Sequence, residues 1–125
     1  MIPGRGPNHP TFRRSFLFAV QGFRTALTQE RNLKVMLAAG GLTIVGGLFV
    51  GLDALSWAIV LVCCGIIIAA ELINTAIEKI VDLVSPEFHP LAGQAKDIAA
   101  AAVWVMALLV AIVGILVFVR ALFFV

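Results

Sequence analysis

The sequence predicts an all-α integral membrane protein: an N-terminal amphipathic helix lying in the membrane interface, then three transmembrane helices. Three observations carry this reading. Hydrophobic residues make up 62% of the 125-residue chain and charged residues 13%, with a mean hydropathy of +1.08, which is too apolar for a water-soluble fold. Three stretches carry no charge, Val35 to Leu52, Ala54 to Ala70 and Ile98 to Val119, of 18, 17 and 22 residues. A spanning helix needs about 20 apolar residues, within a range of roughly 17 to 25. Finally, Arg5, Arg13, Arg14, Arg24, Arg31, Lys34, Lys79 and Lys96 flank one side of these spans and only Arg120 the other. That asymmetry places the N-terminus in the cytoplasm and the C-terminus outside.

Taken in order, residues 1–10 hold three prolines and two glycines and read as a disordered lead. No apolar core follows Arg5, so the lead is not read as a signal peptide. Residues 11–125 form a single domain on the length prior. Over residues 11–28, Phe12, Phe16, Ala19, Val20, Phe23 and Leu27 share one helical face, with Arg13, Arg14, Gln21, Arg24 and Thr28 opposite. Aromatic residues on one face and arginine on the other describe a helix lying in the interface plane. The same pattern suits a helix packed on the bundle, and the two placements are compatible.

Gln29-Glu30-Arg31-Asn32 forms a polar corner before a first span over about residues 33–52. Gly47 and Gly51 make a GxxxG in that span, a weak signal for close helix approach. Asp53 lies in a turn too short for anything but an antiparallel hairpin, and reads as a cap for the second span, residues 54–82. Trp57 lies near that interface. Cys63 and Cys64 are adjacent in mid-span with no His or further Cys nearby, so they read as small core or lipid-facing residues rather than metal ligands.

The chemistry concentrates in Glu71-Leu72-Ile73-Asn74-Thr75-Ala76-Ile77-Glu78-Lys79-Ile80-Val81-Asp82. At about 100° per residue, Asn74, Glu78 and Asp82 fall within roughly 60° of Glu71, on one stripe leading from hydrocarbon towards water. Like charges on one helix face repel, and a carboxylate at membrane depth is costly. A divalent cation with a phosphate ligand would offset both. The plainer alternative is a helix end frayed into solvent. Glu30 reaches the boundary at a similar depth and either pairs with Arg24 or Arg31 or faces the stripe. Ser85 to Gly93, with two prolines and a glycine, reads as a loop, and a third span runs over about residues 96–120. Lys96 and Asp97 then stand at that span's N-terminus, where backbone amides favour phosphate, or serve as a plain interfacial anchor pair.

These residues resemble the prokaryotic diacylglycerol kinase family, small integral-membrane lipid kinases. The resemblance rests on Glu71-Leu72-Ile73-Asn74-Thr75-Ala76-Ile77-Glu78, Val81-Asp82, His89-Pro90-Leu91-Ala92 and Ala95-Lys96-Asp97, and covers nearly the whole chain from about Phe12. It implies a homotrimer with active sites between neighbouring protomers, and ATP with Mg²⁺ as the phosphate-donor system. It also implies that Glu71 is the general base for the lipid hydroxyl and that Glu30 and Glu78 hold the metal. By the same resemblance Asn74, Lys96 and Asp97 belong to the nucleotide and phosphate site, and Asp82 fits the pattern.

The absence of a GxxxxGK[ST] agrees, because the phosphates must then be neutralised by acids with a metal and by Lys96 rather than by a P-loop. Gln29-Glu30-Arg31-Asn32, Asn74-Thr75-Ala76 and His89-Pro90-Leu91-Ala92 look closer to the Gram-positive branch, whose members phosphorylate undecaprenol; diacylglycerol is the alternative substrate. A small transporter is disfavoured, since transporters of this size place one isolated acid in mid-membrane. A non-catalytic scaffold leaves the acid stripe unexplained.

Overall fold

The computed structural model describes residues 11–124, so the expected disordered lead over residues 1–10 lies outside them. Four helices follow one another: α1 (Phe12–Gln29), α2 (Arg31–Val50), α3 (Ala54–Val84) and α4 (Pro90–Phe123). No strand occurs among the described residues. The last three helices are each long and apolar enough to cross a membrane, as expected.

Helix α1 begins at Thr11, whose hydroxyl accepts from the Arg14 amide at 3.3 Å, an ordinary N-cap. The apolar face of α1 is bare at its start, with Phe12 91% and Phe16 62% exposed, and becomes packed only near its end, where Ala26 is buried. An amphipathic helix with half its aromatic face uncovered suits the membrane interface. Its last turn docks on the bundle, so the expected packing on the bundle is met there.

The corner between α1 and α2 is tighter than the sequence suggests. Glu30 alone leaves helical geometry, and Arg31 and Asn32 already belong to α2. At the other end of α2, Gly51 takes a left-handed conformation (φ 77°) as the C-cap, with its N–H bonded to the Gly47 carbonyl at 2.9 Å. Within this chain only the first glycine of the expected GxxxG meets a neighbour. Gly51 caps the helix, and only Gly47 makes a close approach, against Trp57 and Leu52 of its own hairpin. Asp53 then caps α3 as expected, accepting from the Ser56 amide at 2.8 Å.

Helix α3 has 31 residues, a length of about 46 Å against a hydrocarbon core of roughly 30 Å. Charge first reappears at Glu71, towards the C-terminal end, so the acid stripe follows the apolar stretch on one continuous helix.

Two expectations about α4 are corrected. The loop after α3 spans only Ser85–His89, and α4 starts at Pro90 rather than near residue 96. Proline is tolerated at the first helical position, where its missing N–H would have no partner, and His89 caps the turn by accepting from the Leu91 amide at 3.1 Å through Nδ1. Gly93 is simply absorbed into the first turn. Lys96 and Asp97 consequently lie in the second turn, where helix amides are already bonded, and do not form a helix N-terminus.

Packing is uneven along the bundle. The apolar core, Leu52, Val60 and Val117 with Trp57, Val113 and Phe118, sits at the end of the α2–α3 hairpin. At the opposite end the buried residues of α3 are polar: Glu71, Asn74 and Thr75.

Candidate active site

Glu71 is 1% exposed, Thr75 4% and Asn74 7%, in a single turn of α3. Burying an ionisable carboxylate without a partner is costly, and such groups inside a membrane protein are functional by default. Neither Glu71 Oε2, Asn74 Oδ1 nor Thr75 Oγ1 has a hydrogen-bond partner. One further turn along, Asn74 Nδ2 donates to Glu78 Oε1 at 3.2 Å, which fixes the carboxamide and leaves one oxygen of Glu78 open.

The corner at Glu30 brings a third acid to this turn. Its N–H closes α1 on the Ala26 carbonyl at 2.8 Å, and its side chain makes no capping bond to α2. The charges of Glu30 and Glu78 both bear on Glu71. Of the alternatives open for Glu30, it faces the stripe, and no ion pair joins it to Arg24 or Arg31 among the described residues. Lys79 donates to Gln29, pinning the end of α1 to α3 and holding the corner in place.

On the water side, Lys96 of α4 donates to Asp82 of α3 as an ion pair. It also lies in the field of Glu78. Asp82 thus acquires a concrete task as the anchor of Lys96. Asp97 is exposed, and no hydrogen bond or ion pair ties it to the cluster among the described residues. The structure therefore gathers Glu30, Glu71, Asn74, Glu78 and Lys96 at one end of the bundle and leaves Asp97 beside them.

The like-charged arrangement favours a cation. Among the described residues no cluster of three or more acids, histidines or cysteines forms a ready-made cage. Mg²⁺ keeps several waters and uses few protein ligands, so a pair of carboxylates such as Glu30 and Glu78 would suit it. An apolar cavity of about 540 Å³ runs between α2, α3 and α4, with Ile67 and Ile68 lining it one turn below Glu71. The site is thus bounded by a hydrocarbon-compatible groove on one side and by charge on the other.

Comparison with known proteins decides the family. The description of prokaryotic diacylglycerol kinases matches residues 17–118. The chain belongs to the prokaryotic diacylglycerol kinase family. Undecaprenol kinase of Bacillus subtilis is 40% identical over 107 residues, covering 86% of this chain and 87% of the relative. Diacylglycerol kinase of Helicobacter pylori is 31% identical over 101 residues (81% and 79%), and that of Escherichia coli 30% over 96 residues (77% and 78%). As a member of this diacylglycerol kinase family the chain is a membrane lipid kinase, with ATP as phosphate donor.

Two features escaped the sequence reading. Thr75 sits about 40° round the helix from Glu71 and could have been added to the stripe on spacing alone. Arg120 donates to Asp53 Oδ2 at 3.0 Å, 67 residues apart, a pairing that no local pattern announces.

Proposed function

We propose that this kinase transfers the γ-phosphoryl group of ATP to the hydroxyl of undecaprenol at the cytoplasmic membrane boundary, with Glu71 as general base. The observation that carries the role of Glu71 is its buried carboxylate with an unpartnered oxygen, set between an apolar groove and a charged cluster. A lipid hydroxyl arriving from the groove side meets that oxygen, and its proton passes to Glu71. The lipid oxygen then forms its bond to the γ-phosphorus. The bond from that phosphorus to the bridging oxygen breaks, ADP leaves with the electron pair, and the proton is released to water.

Glu30 and Glu78 would hold Mg²⁺, which when bound neutralises phosphate charge. Asn74 keeps Glu78 oriented, and Lys96, released from or shared with Asp82, supplies a point charge to the phosphates. Asp97 lies next to Lys96 and is assigned to the nucleotide site on the family resemblance. The working unit is a homotrimer with sites between neighbouring copies, the N-terminus and site facing the cytoplasm of a bacterial plasma membrane. The excess of basic residues at that end supports the orientation.

The preference for undecaprenol rests on the 40% identity to the Bacillus subtilis enzyme, against 30–35% for the diacylglycerol kinases. Competition between undecaprenol and diacylglycerol in mixed micelles with [γ-³²P]ATP and Mg²⁺ tests it. Label mainly in undecaprenyl phosphate supports the proposal, whereas label mainly in phosphatidic acid reverses the substrate assignment.

A further inference from the structure

We infer that the Thr75 hydroxyl is a substrate contact: it donates to the acceptor oxygen of the lipid alcohol while that alcohol's own proton points at Glu71. The inference rests on the reading of Glu71 as base. Threonine inside a helix ordinarily turns its hydroxyl back onto a carbonyl of the preceding turn. Thr25 does so to Gln21 O at 3.0 Å, Thr28 to Thr25 O at 2.9 Å and Thr43 to Ala39 O at 2.8 Å. Those three are partly or fully exposed, whereas Thr75, only 4% exposed, leaves its hydroxyl without any partner. A buried donor left unmet costs more than a bond never made, so this hydroxyl calls for a partner that the chain itself does not supply.

What it faces points to an alcohol. Cys64, Ile68, Glu71 and Thr75 follow the i, i+4, i+7, i+11 spacing, one stripe of α3. Cys64 and Ile68 line the apolar cavity, so the stripe leads from that groove through the carboxylate to Thr75. Asn74 and Glu78, bonded to each other, lie on the other flank of Glu71. An uncharged donor beside the base suits a neutral alcohol oxygen, whereas polyphosphate calls for a cationic group such as Lys96, which lies in the field of Glu78. An alcohol has one proton to give and lone pairs to receive with, which matches one acceptor, Glu71 Oε2, and one donor, Thr75 Oγ1.

The test uses the full chain in micelles, with KM measured separately for undecaprenol and for ATP, and with melting temperature and oligomer size read alongside. Thr75→Val keeps the shape and deletes the donor. It should lower kcat/KM for the lipid by on the order of 10- to 100-fold and leave the KM for ATP unchanged. It should melt no lower than the parent protein, because nothing bonded has been removed. Thr75→Ser should restore most of the activity. Should Thr75→Val fail to fold, Thr75→Ala serves in its place.

Unchanged lipid kinetics would overturn the inference. So would a loss confined to the KM for ATP, or a fall in melting temperature with dissociation of the oligomer, which would mean that the hydroxyl is bonded between copies. Glu71→Gln run in parallel separates the two claims. A dead Glu71→Gln with a fully active Thr75→Val refutes the Thr75 contact alone, while an active Glu71→Gln refutes the base and, with it, the inference.

Discussion

Arg120, near the end of α4, donates to Asp53 Oδ2 at 3.0 Å while the other oxygen of Asp53 caps α3 through the Ser56 amide at 2.8 Å. One carboxylate thus closes the α2–α3 turn and ties it to α4, at the end of the bundle where the apolar core lies. The site is at the opposite end, so this clamp and the chemistry are separable.

Asp53→Ala removes a cap and an ion pair together and should lower the melting temperature by a few degrees, with Arg120→Ala costing less. Hydrogen bonds from Ser56, then from Arg120, hold the Asp53 carboxyl down at about 2. Because the folded value lies below the usual 3.8, this group's contribution is complete above pH 3.8 and fades only as pH falls through 2. Asp53→Asn should therefore leave the pH–rate profile between pH 5 and pH 9, the range to be assayed, unchanged in shape; a shifted profile would contradict the separation of clamp and site.

Gly47 packs where no Cβ fits. A methyl group there would lie 2.9 Å from Leu52 Cδ1 and 2.9 Å from Trp57 Cη2, and the indole is too rigid to yield cheaply. Gly47→Ala gains roughly 1 kcal/mol of helix propensity but should still destabilise by about 1–3 kcal/mol through overpacking. Gly41→Ala, with nothing within 4 Å, keeps the propensity gain without the clash. Thermal unfolding of the two variants in one detergent measures the difference, and equal stability would show that Trp57 moves aside.

If Glu78 is one of the two acidic ligands proposed for Mg²⁺, Glu78→Gln should raise the Mg²⁺ concentration needed for half-maximal rate by on the order of tenfold. Its open oxygen is the one available to a metal, the other being engaged by Asn74 Nδ2. An unaltered Mg²⁺ titration would take Glu78 out of the metal site.

Much of this architecture was legible in the sequence, for a physical reason. A membrane imposes length and apolarity on each span, so three helices and their order follow from where charge is missing, and the 3.6-residue period fixes which acids share a face. The start of α4 is less legible: Pro90 and Gly93 suggest a break, whereas a proline at the first helical position breaks nothing and His89 supplies the cap. Lys96 and Asp97 therefore lie one turn inside the helix rather than at the N-terminus that the spacing suggests. Glu30 facing Glu71 and Arg120 meeting Asp53 depend on how helices dock, which no local spacing encodes.

Glu71→Gln separates function from stability most sharply. The carboxylate is 1% exposed, one oxygen has no partner, and two like charges bear on it. A neutral amide of the same shape relieves the burial of charge and the repulsion, so the variant should be more stable by about 1–3 kcal/mol. It cannot accept the lipid proton, so kcat should fall by on the order of 10²- to 10⁴-fold, while ATP binding, assigned to Asn74, Glu78 and Lys96, stays close to that of the parent protein. Loss of activity with a raised melting temperature and intact nucleotide binding is the signature of a buried acid kept for proton transfer. If activity falls only because the protein unfolds, Glu71 holds the helices together and some other group takes the proton.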